Sequence, residues 1–108
     1  MHNYARKLVA AGAFALVFAA GSAKADEFIN VLTGGTSGVY YPLGVALSDI
    51  YGNNIEGART QVQATKASVE NLNLLQAGRG EIAFTLGDSL KEAWAGNTEA
   101  GFKGKLDK

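Results

Sequence analysis

The residues best suited to chemistry lie in one glycine-rich stretch, residues 33–44, with the sequence TGGTSGVYYPLG. Its glycines predict tight backbone turns, Thr36 and Ser37 supply hydroxyl groups, and Pro42 fits the first turn of a helix, where a missing N–H costs nothing. The first N–H groups of a helix lack internal partners and carry partial positive charge, so they bind carboxylates and phosphates well. The stretch therefore predicts an anion-binding loop at a helix N-terminus.

Catalytic motifs do not fit this stretch. The only histidine is His2 and the sequence has no cysteine, so Ser–His–Asp and Cys–His arrangements are excluded after the first residues. Val39 stands where a nucleophile elbow needs glycine, no Gly-Lys-Ser/Thr completes a Walker A motif, and the glycine spacing does not match the dinucleotide fingerprint. We therefore expect a protein that is not an enzyme and that uses no cofactor or metal.

The start of the chain has the pattern of a secretory signal peptide. Arg6 and Lys7 form a basic n-region, residues 8–20 are apolar and uncharged, and Ala23-Lys24-Ala25 has the small-x-small form of a cleavage site. A membrane span needs about 20 apolar residues, more than this run provides. We expect residues 1–25 to be removed by cleavage after Ala25, leaving a periplasmic product without disulfides.

The remaining segment, residues 26–108, carries seven basic and ten acidic residues, a net charge of −3. No basic patch remains, which argues against binding to nucleic acid or to an anionic membrane surface. A segment of this length can form only one small core.

Strand patterns recur along this segment. Residues 28–32 form a short apolar run typical of a strand buried on both faces, and residues 58–65 alternate with a period of two, with one wetter face. Residues 81–85 predict a third strand. The final residues, 99–108, are polar and without periodicity, and they read as a connector.

A helix is predicted after each strand. The first helix should have an inward residue at every third or fourth position and should end at Gly52-Asn53-Asn54. This pattern leaves Ser48 on the exposed side. The inward residues are Leu43, Ala46, Leu47, Ile50 and Tyr51. The second should be capped by Ser68 and end at Gly78; its inward residues are Val69, Leu72 and Leu75. The third should be capped by Asp88 or Ser89 and end at Gly96; its inward residues are Leu90, Ala93 and Trp94.

The order β-α-β-α-β-α predicts an α/β fold with parallel strands and right-handed crossovers. Ligands of such sheets bind beyond the carboxyl ends of the strands, where the strand order reverses. Three loops should meet there, residues 33–41, 65–68 and 85–89, and all are rich in hydroxyl groups and small residues. Ordinary turn and capping chemistry is the alternative explanation for each loop taken alone.

Three motifs carry a resemblance to a known family. They are TGGTSGVYYPLG (Thr33 to Gly44), QVQATKASVENLNLL (Gln61 to Leu75) and GEIAFTLGDSLKEAW (Gly80 to Trp94). In this order they closely resemble the start of TAXI-type substrate-binding proteins of TRAP transporters, the tripartite ATP-independent periplasmic transporters. The resemblance covers the whole segment after the signal peptide.

The resemblance implies a type II-like periplasmic binding protein, a monomer that closes two lobes on an organic acid or amino acid such as glutamate. The ligand would pass to the TRAP membrane permease subunits. By motif match the ligand-binding residues would be Thr36, Ser37, Gly38, Val39 and Tyr40, with Ser68 and Asp88 opposite.

Two departures from the family stand out. Many relatives carry a glutamine where this chain has Leu86. Two-lobed chains usually approach about 300 residues, so we expect residues 26–108 to be a partial N-terminal lobe whose binding is no tighter than about millimolar, roughly −4 kcal/mol. The alternative function is a truncated, non-binding secreted fragment or an antigen-like interaction protein.

Overall fold

The computed structural model describes residues 26–108, so the predicted signal peptide lies outside the described residues. Three strands and three helices alternate: β1 (Glu27–Leu32), α1 (Tyr40–Asn54), β2 (Ala58–Gln63), α2 (Ser68–Gln76), β3 (Ile82–Ala83) and α3 (Gly87–Ala95). The predicted α/β fold with the order β-α-β-α-β-α is confirmed, and it is the arrangement expected for part of a periplasmic-binding lobe.

The sheet is parallel, with the strand order β2-β1-β3. Glu27 pairs with Ala58 on one side of β1, and Val31 pairs with Ile82 on the other. The chain passes from β1 outward to β2 and then back across β1 to β3. Since crossovers between parallel strands are right-handed as a rule, this strand order places α1 and α2 on opposite faces of the sheet. The strand order therefore reverses between β1 and β3, and the carboxyl ends of these two strands flank the reversal.

The core on the α2 face includes a segment that the sequence pattern presents as a connector. Phe102 is 2% exposed and packs with Leu72 of α2 and Ala93 of α3. Residues 97–108, here called the terminal strap, are also held by a hydrogen bond from the Leu106 N–H to the Ala93 carbonyl (3.1 Å). The sequence pattern gave no sign of this packing, because one buried aromatic ring in a polar segment leaves no periodic signal.

Helix α1 buries a different face from the predicted one. Gly44 and Ser48 are buried, whereas Leu43 and Ile50, predicted inward, are 48% and 55% exposed. A side chain at Gly44 would collide with the methyl group of Thr33, so the small residues allow α1 to approach the sheet closely. The apolar pattern predicted the wrong face because α1 lies close to the sheet, so that small residues rather than large apolar ones face inward.

Helix ends follow local chemistry in two cases of three. Gly78 and Gly96 adopt the left-handed conformation (φ 73° each) after α2 and α3, as predicted. Helix α1 has no such glycine and ends at Asn54, the last of the three residues predicted to end it. On α3, Ala93 is buried, but Leu90 and Trp94 face solvent, against the prediction.

Neither α3 nor any other helix among residues 26–108 is long and apolar enough to cross a bilayer.

The strands are also less regular than predicted. Only the carboxyl end of β1 is buried, since Phe28 is 67% exposed. Strand β2 keeps the predicted alternation, with Arg59 and Gln61 exposed. Strand β3 covers only two of the predicted residues, although the Phe84 N–H still donates to the Leu32 carbonyl (3.0 Å) beyond it. All three strands nevertheless deliver their following loops to one edge of the sheet.

Candidate functional site

The loop between β1 and α1 is the most exposed part of the candidate site. Thr36, Ser37, Gly38 and Val39 all face solvent. The Gly38 N–H donates to the Gly35 carbonyl at 2.9 Å, closing a tight turn. In this structure the Gly38 N–H is therefore engaged within the loop and does not point to an open acceptor position.

The N-terminus of α1 is open to an anion. The helix begins at Tyr40 after Val39, with no capping side chain and no acidic residue in its first turn. The first turns of α2 and α3 contain Glu70 and Asp88. Among residues 26–108, the N–H groups of Ser37, Val39 and Tyr40 find no protein acceptor. Of the three described helices, α1 thus offers the most favourable N-terminus for a carboxylate.

Tyr40 joins this loop to the end of β3. Its ring stacks on Phe84, with centroids 5.2 Å apart and an interplanar angle of 23°. Tyr40 is half-buried. The stack on Phe84 covers one side of its ring. The ring pair joins the first residue of α1 to the residue that follows β3.

Ser68 and Asp88 do not cap their helices as predicted. Helix α2 begins at Ser68 itself after Ala67, and Ser68 Oγ accepts a hydrogen bond from the Leu86 N–H (2.9 Å). Helix α3 begins at Gly87 after Leu86, and the Asp88 carboxylate accepts from the adjacent Ser89 N–H (2.7 Å). Ser68 thereby connects the β2–α2 and β3–α3 loops, whereas the observed hydrogen bond of exposed Asp88 is local.

A buried amide connects all three loops. Asn71 is fully buried, and its Nδ2 donates to the carbonyls of Thr33 (2.6 Å) and Phe84 (2.8 Å). The Thr65 hydroxyl donates to Asn71 Oδ1 at 2.5 Å, and the Thr65 N–H donates to the Gly34 carbonyl at 3.2 Å. The convergence of the three loops, inferred from the strand order, is therefore realised through hydrogen bonds.

The turn before α2 contains the one non-glycine residue of positive φ in the described chain. Ala67 has φ 73° and ψ −143°, a region that favours glycine and costs about 1–3 kcal/mol for other residues. Its N–H donates to Thr65 Oγ1 (3.0 Å) and its carbonyl accepts from the Asn71 N–H (2.9 Å). A side chain at Gly34 would touch the Ala67 methyl group at 3.4 Å. The strained residue thus lies against the β1 loop.

Sequence reasoning missed Asn71 and Phe84. A signal for Asn71 was available, because it lies three residues after Ser68 and four before Leu75, on the side of α2 predicted to face inward. A polar residue at such a position is buried only if its hydrogen bonds are satisfied. Phe84 gave no signal beyond its place in an apolar strand. Lys66 is exposed on the β2–α2 loop.

A separate concavity of about 650 Å³ lies at the other end of α2. Asn73, Gln76 and the exposed Lys103 and Lys105 of the terminal strap line it. It opens away from the carboxyl ends of the strands, where ligands of open parallel sheets bind. We therefore place the candidate site at the three loops.

A comparison with known protein families gave a match for most of the described chain. Residues 31–108, which include all three helices and all three loops, match the NMT1-like family. The match extends over well more than half of the chain and begins within β1. The chain therefore belongs to the NMT1-like family, a family of the periplasmic-binding type with a general role in solute binding.

Proposed function

We propose that this chain is the solute-binding component of a TRAP transporter, of the TAXI type. It captures a small carboxylate or amino acid, such as glutamate, and delivers it to the membrane permease subunits. The chain acts as a monomer and performs no catalysis. The observation that carries this proposal is the uncapped N-terminus of α1, which lies at the reversal of strand order in a family of the periplasmic-binding type.

The donors suit a carboxylate. The N–H groups of Ser37, Val39 and Tyr40, together with the Ser37 hydroxyl, would surround one carboxylate with charge-assisted hydrogen bonds. Asp88 in the first turn of α3 would accept from a ligand ammonium, which favours an amino acid over a simple acid. Thr36 and Gly38 form the rest of the loop surface that the ligand would cover.

Residues 26–108 should bind such a ligand only weakly. Binding pockets usually enclose most of a ligand, whereas the three loops form a single open wall. We expect L-glutamate to bind the chain with a Kd of about 1 mM, roughly −4 kcal/mol. Titration followed by two-dimensional NMR detects binding of this strength and reports it residue by residue.

Replacing Ser37 tests the proposed carboxylate contact. A hydrogen bond to a charged group contributes about 1.5–3 kcal/mol, so Ser37→Ala should raise the Kd for L-glutamate about ten-fold or more. Gly38→Val should weaken binding further, because a side chain there would crowd the approach to the loop and lie 3.3 Å from the Gly35 carbonyl.

Thr98→Ala is the control for Ser37→Ala. It also removes an exposed hydroxyl, but Thr98 follows the far end of α3, about 13 Å of helix away from the loops. Its Kd should equal that of the wild type. Ser48, exposed by the sequence pattern, is unsuitable because it is buried against the sheet. Equal affinities for Ser37→Ala and Thr98→Ala, with both proteins folded, would rule out the loop as the site.

We further propose that the chain functions in the periplasm. The basic n-region, the apolar run and Ala23-Lys24-Ala25 support cleavage after Ala25. N-terminal sequencing of protein recovered from the periplasm should begin at Asp26. Recovery of the intact chain beginning at Met1 from the membrane fraction would contradict export by cleavage.

A further inference from the structure

The loops of the candidate site are held together by a buried side chain on α2 that was not among the predicted site residues. Backbone pairing between β1 and β3 ends where the Phe84 N–H donates to the Leu32 carbonyl. Past this point the two strands continue into separate loops, and the carbonyls of Thr33 and Phe84 receive the Asn71 amide instead. The Asn71 side chain thus takes the place of strand pairing at the reversal of strand order.

The Asn71 side chain uses both of its donors and accepts one hydrogen bond at this point. Both Nδ2 protons go to the two carbonyls, and Oδ1 accepts from the Thr65 hydroxyl. The side chain is fully buried, so no water replaces a lost partner without rearrangement. The orientation of the amide is fixed by this set, because turning it over would place oxygen against both carbonyls.

The effect of this amide reaches the ligand loop through Phe84. The Phe84 carbonyl is bound to Asn71, and its ring stacks on Tyr40, the first residue of α1. On the other side, Asn71 binds the Thr33 carbonyl, immediately before the glycines of the loop. Both ends of the β1–α1 loop are therefore tied to one side chain on α2.

We propose that Asn71 is a positioning residue that sets the spacing between the β1–α1 and β3–α3 loops. The Thr65 hydroxyl orients it. This inference deepens the proposed function, on which it rests for its effect on ligand affinity. Asn71 touches no ligand itself; it holds the loop donors in the arrangement that receives a carboxylate.

The test replaces Asn71 by aspartate. Asn71→Asp keeps the shape and the acceptor for Thr65 but places a carboxylate oxygen against the carbonyls of Thr33 and Phe84, which repels both loops. Asn73→Asp is the matched control on the same helix. The Asn73 Nδ2 also donates to two carbonyls, those of Val69 and Gly101, but neither belongs to the loops.

Two readouts separate positioning from plain stabilisation. Both variants should lose thermal stability. Only Asn71→Asp should shift the NMR signals of the Tyr40 ring protons and of the Ser37 and Val39 N–H groups. The Tyr40 ring protons are sensitive to this change because the ring current of the stacked Phe84 displaces their signals. Only Asn71→Asp should also raise the Kd for L-glutamate, by ten-fold or more. Unchanged loop and Tyr40 signals in folded Asn71→Asp would overturn the proposal.

Two Thr65 variants give a milder test of the positioning role, which applies even if Asn71→Asp does not fold. Thr65→Val keeps the side-chain shape but removes the hydroxyl that orients Asn71, whereas Thr65→Ser keeps that hydroxyl. We expect Thr65→Val to shift the Tyr40 and loop signals and Thr65→Ser to leave them near their wild-type positions. Identical spectra for Thr65→Val and the wild type would overturn the proposal.

The ligand-free spectra decide the positioning role on their own. A wild-type chain that shows no response to L-glutamate would count against the proposed function only. Loop signals that respond to L-glutamate in the wild type and equally in Asn71→Asp would count against the positioning role only.

Discussion

Phe102→Ala should lower the free energy of unfolding by about 3–5 kcal/mol, the usual cost of truncating a buried phenylalanine. The ring is almost completely buried between α2 and α3, where it packs with Leu72 and Ala93. Because domains are stable by only about 5–15 kcal/mol, this single change should leave the chain close to unfolded. Urea denaturation followed by circular dichroism measures the loss.

Phe28→Ala is the control for this prediction. The Phe28 ring is 67% exposed on β1 and has the Arg59 guanidinium 6.0 Å from its centroid. Its removal should cost about 0.5–1 kcal/mol, the range of an exposed cation–π contact. Equal losses for Phe28→Ala and Phe102→Ala would show that the terminal strap does not pack on α2 and α3 in solution.

Gly44→Ala should destabilise the chain, although the same change in a helix normally stabilises it by about 1 kcal/mol. The new methyl group would overlap the Thr33 methyl group and lie 3.4 Å from Val62 Cγ1. Overpacking of this kind costs about 1–3 kcal/mol. Thermal unfolding of the variant should therefore occur at a lower temperature than that of the wild type.

Gly52→Ala provides the matched comparison on the same helix. A methyl group at Gly52 would lie 3.4 Å from Thr60 Oγ1, an ordinary contact, so helix propensity should dominate and stabilise the chain by up to about 1 kcal/mol. Opposite signs are expected for the two variants. Stabilisation by Gly44→Ala would contradict the close packing of α1 on β1 and β2.

The sequence predicted the order of elements well because that order depends on local patterns. Alternation in β2, the glycines after α2 and α3 and Pro42 in the first turn of α1 all have short-range causes, and the structure contains each of them. The three loops could also be predicted to meet, because right-handed crossovers leave few arrangements of three parallel strands.

The buried faces could not be predicted in the same way. Which side of α1 faces the sheet depends on Gly44 fitting against Thr33, a contact between distant parts of the chain. The burial of Phe102 depends on a gap between two helices whose positions the sequence pattern does not give. Amphipathic patterns average over such contacts and therefore misassigned Leu43 and Trp94, which face solvent.

The position of the glycine-rich loop was predictable, and the hydrogen bonds around it were less so. The glycine-rich loop and its helix follow β1 as expected, with the N–H groups of Val39 and Tyr40 available. The roles of Ser68 and Asp88 differ from simple capping, because Ser68 bonds across to Leu86 and Asp88 bonds to Ser89. Hydrogen bonds between loops depend on the fold and cannot be read from spacing along the chain.

The most direct test of the central claim is the position of the ligand in the NMR titration with L-glutamate. If a carboxylate binds at the N-terminus of α1, the N–H signals of Ser37, Val39 and Tyr40 should move first and furthest, with half-saturation at about 1 mM. The N–H signals of Lys103 and Lys105, which line the separate concavity, should stay in place. Saturable shifts confined to the terminal strap, with the α1 loop unmoved, would contradict the assignment of the site.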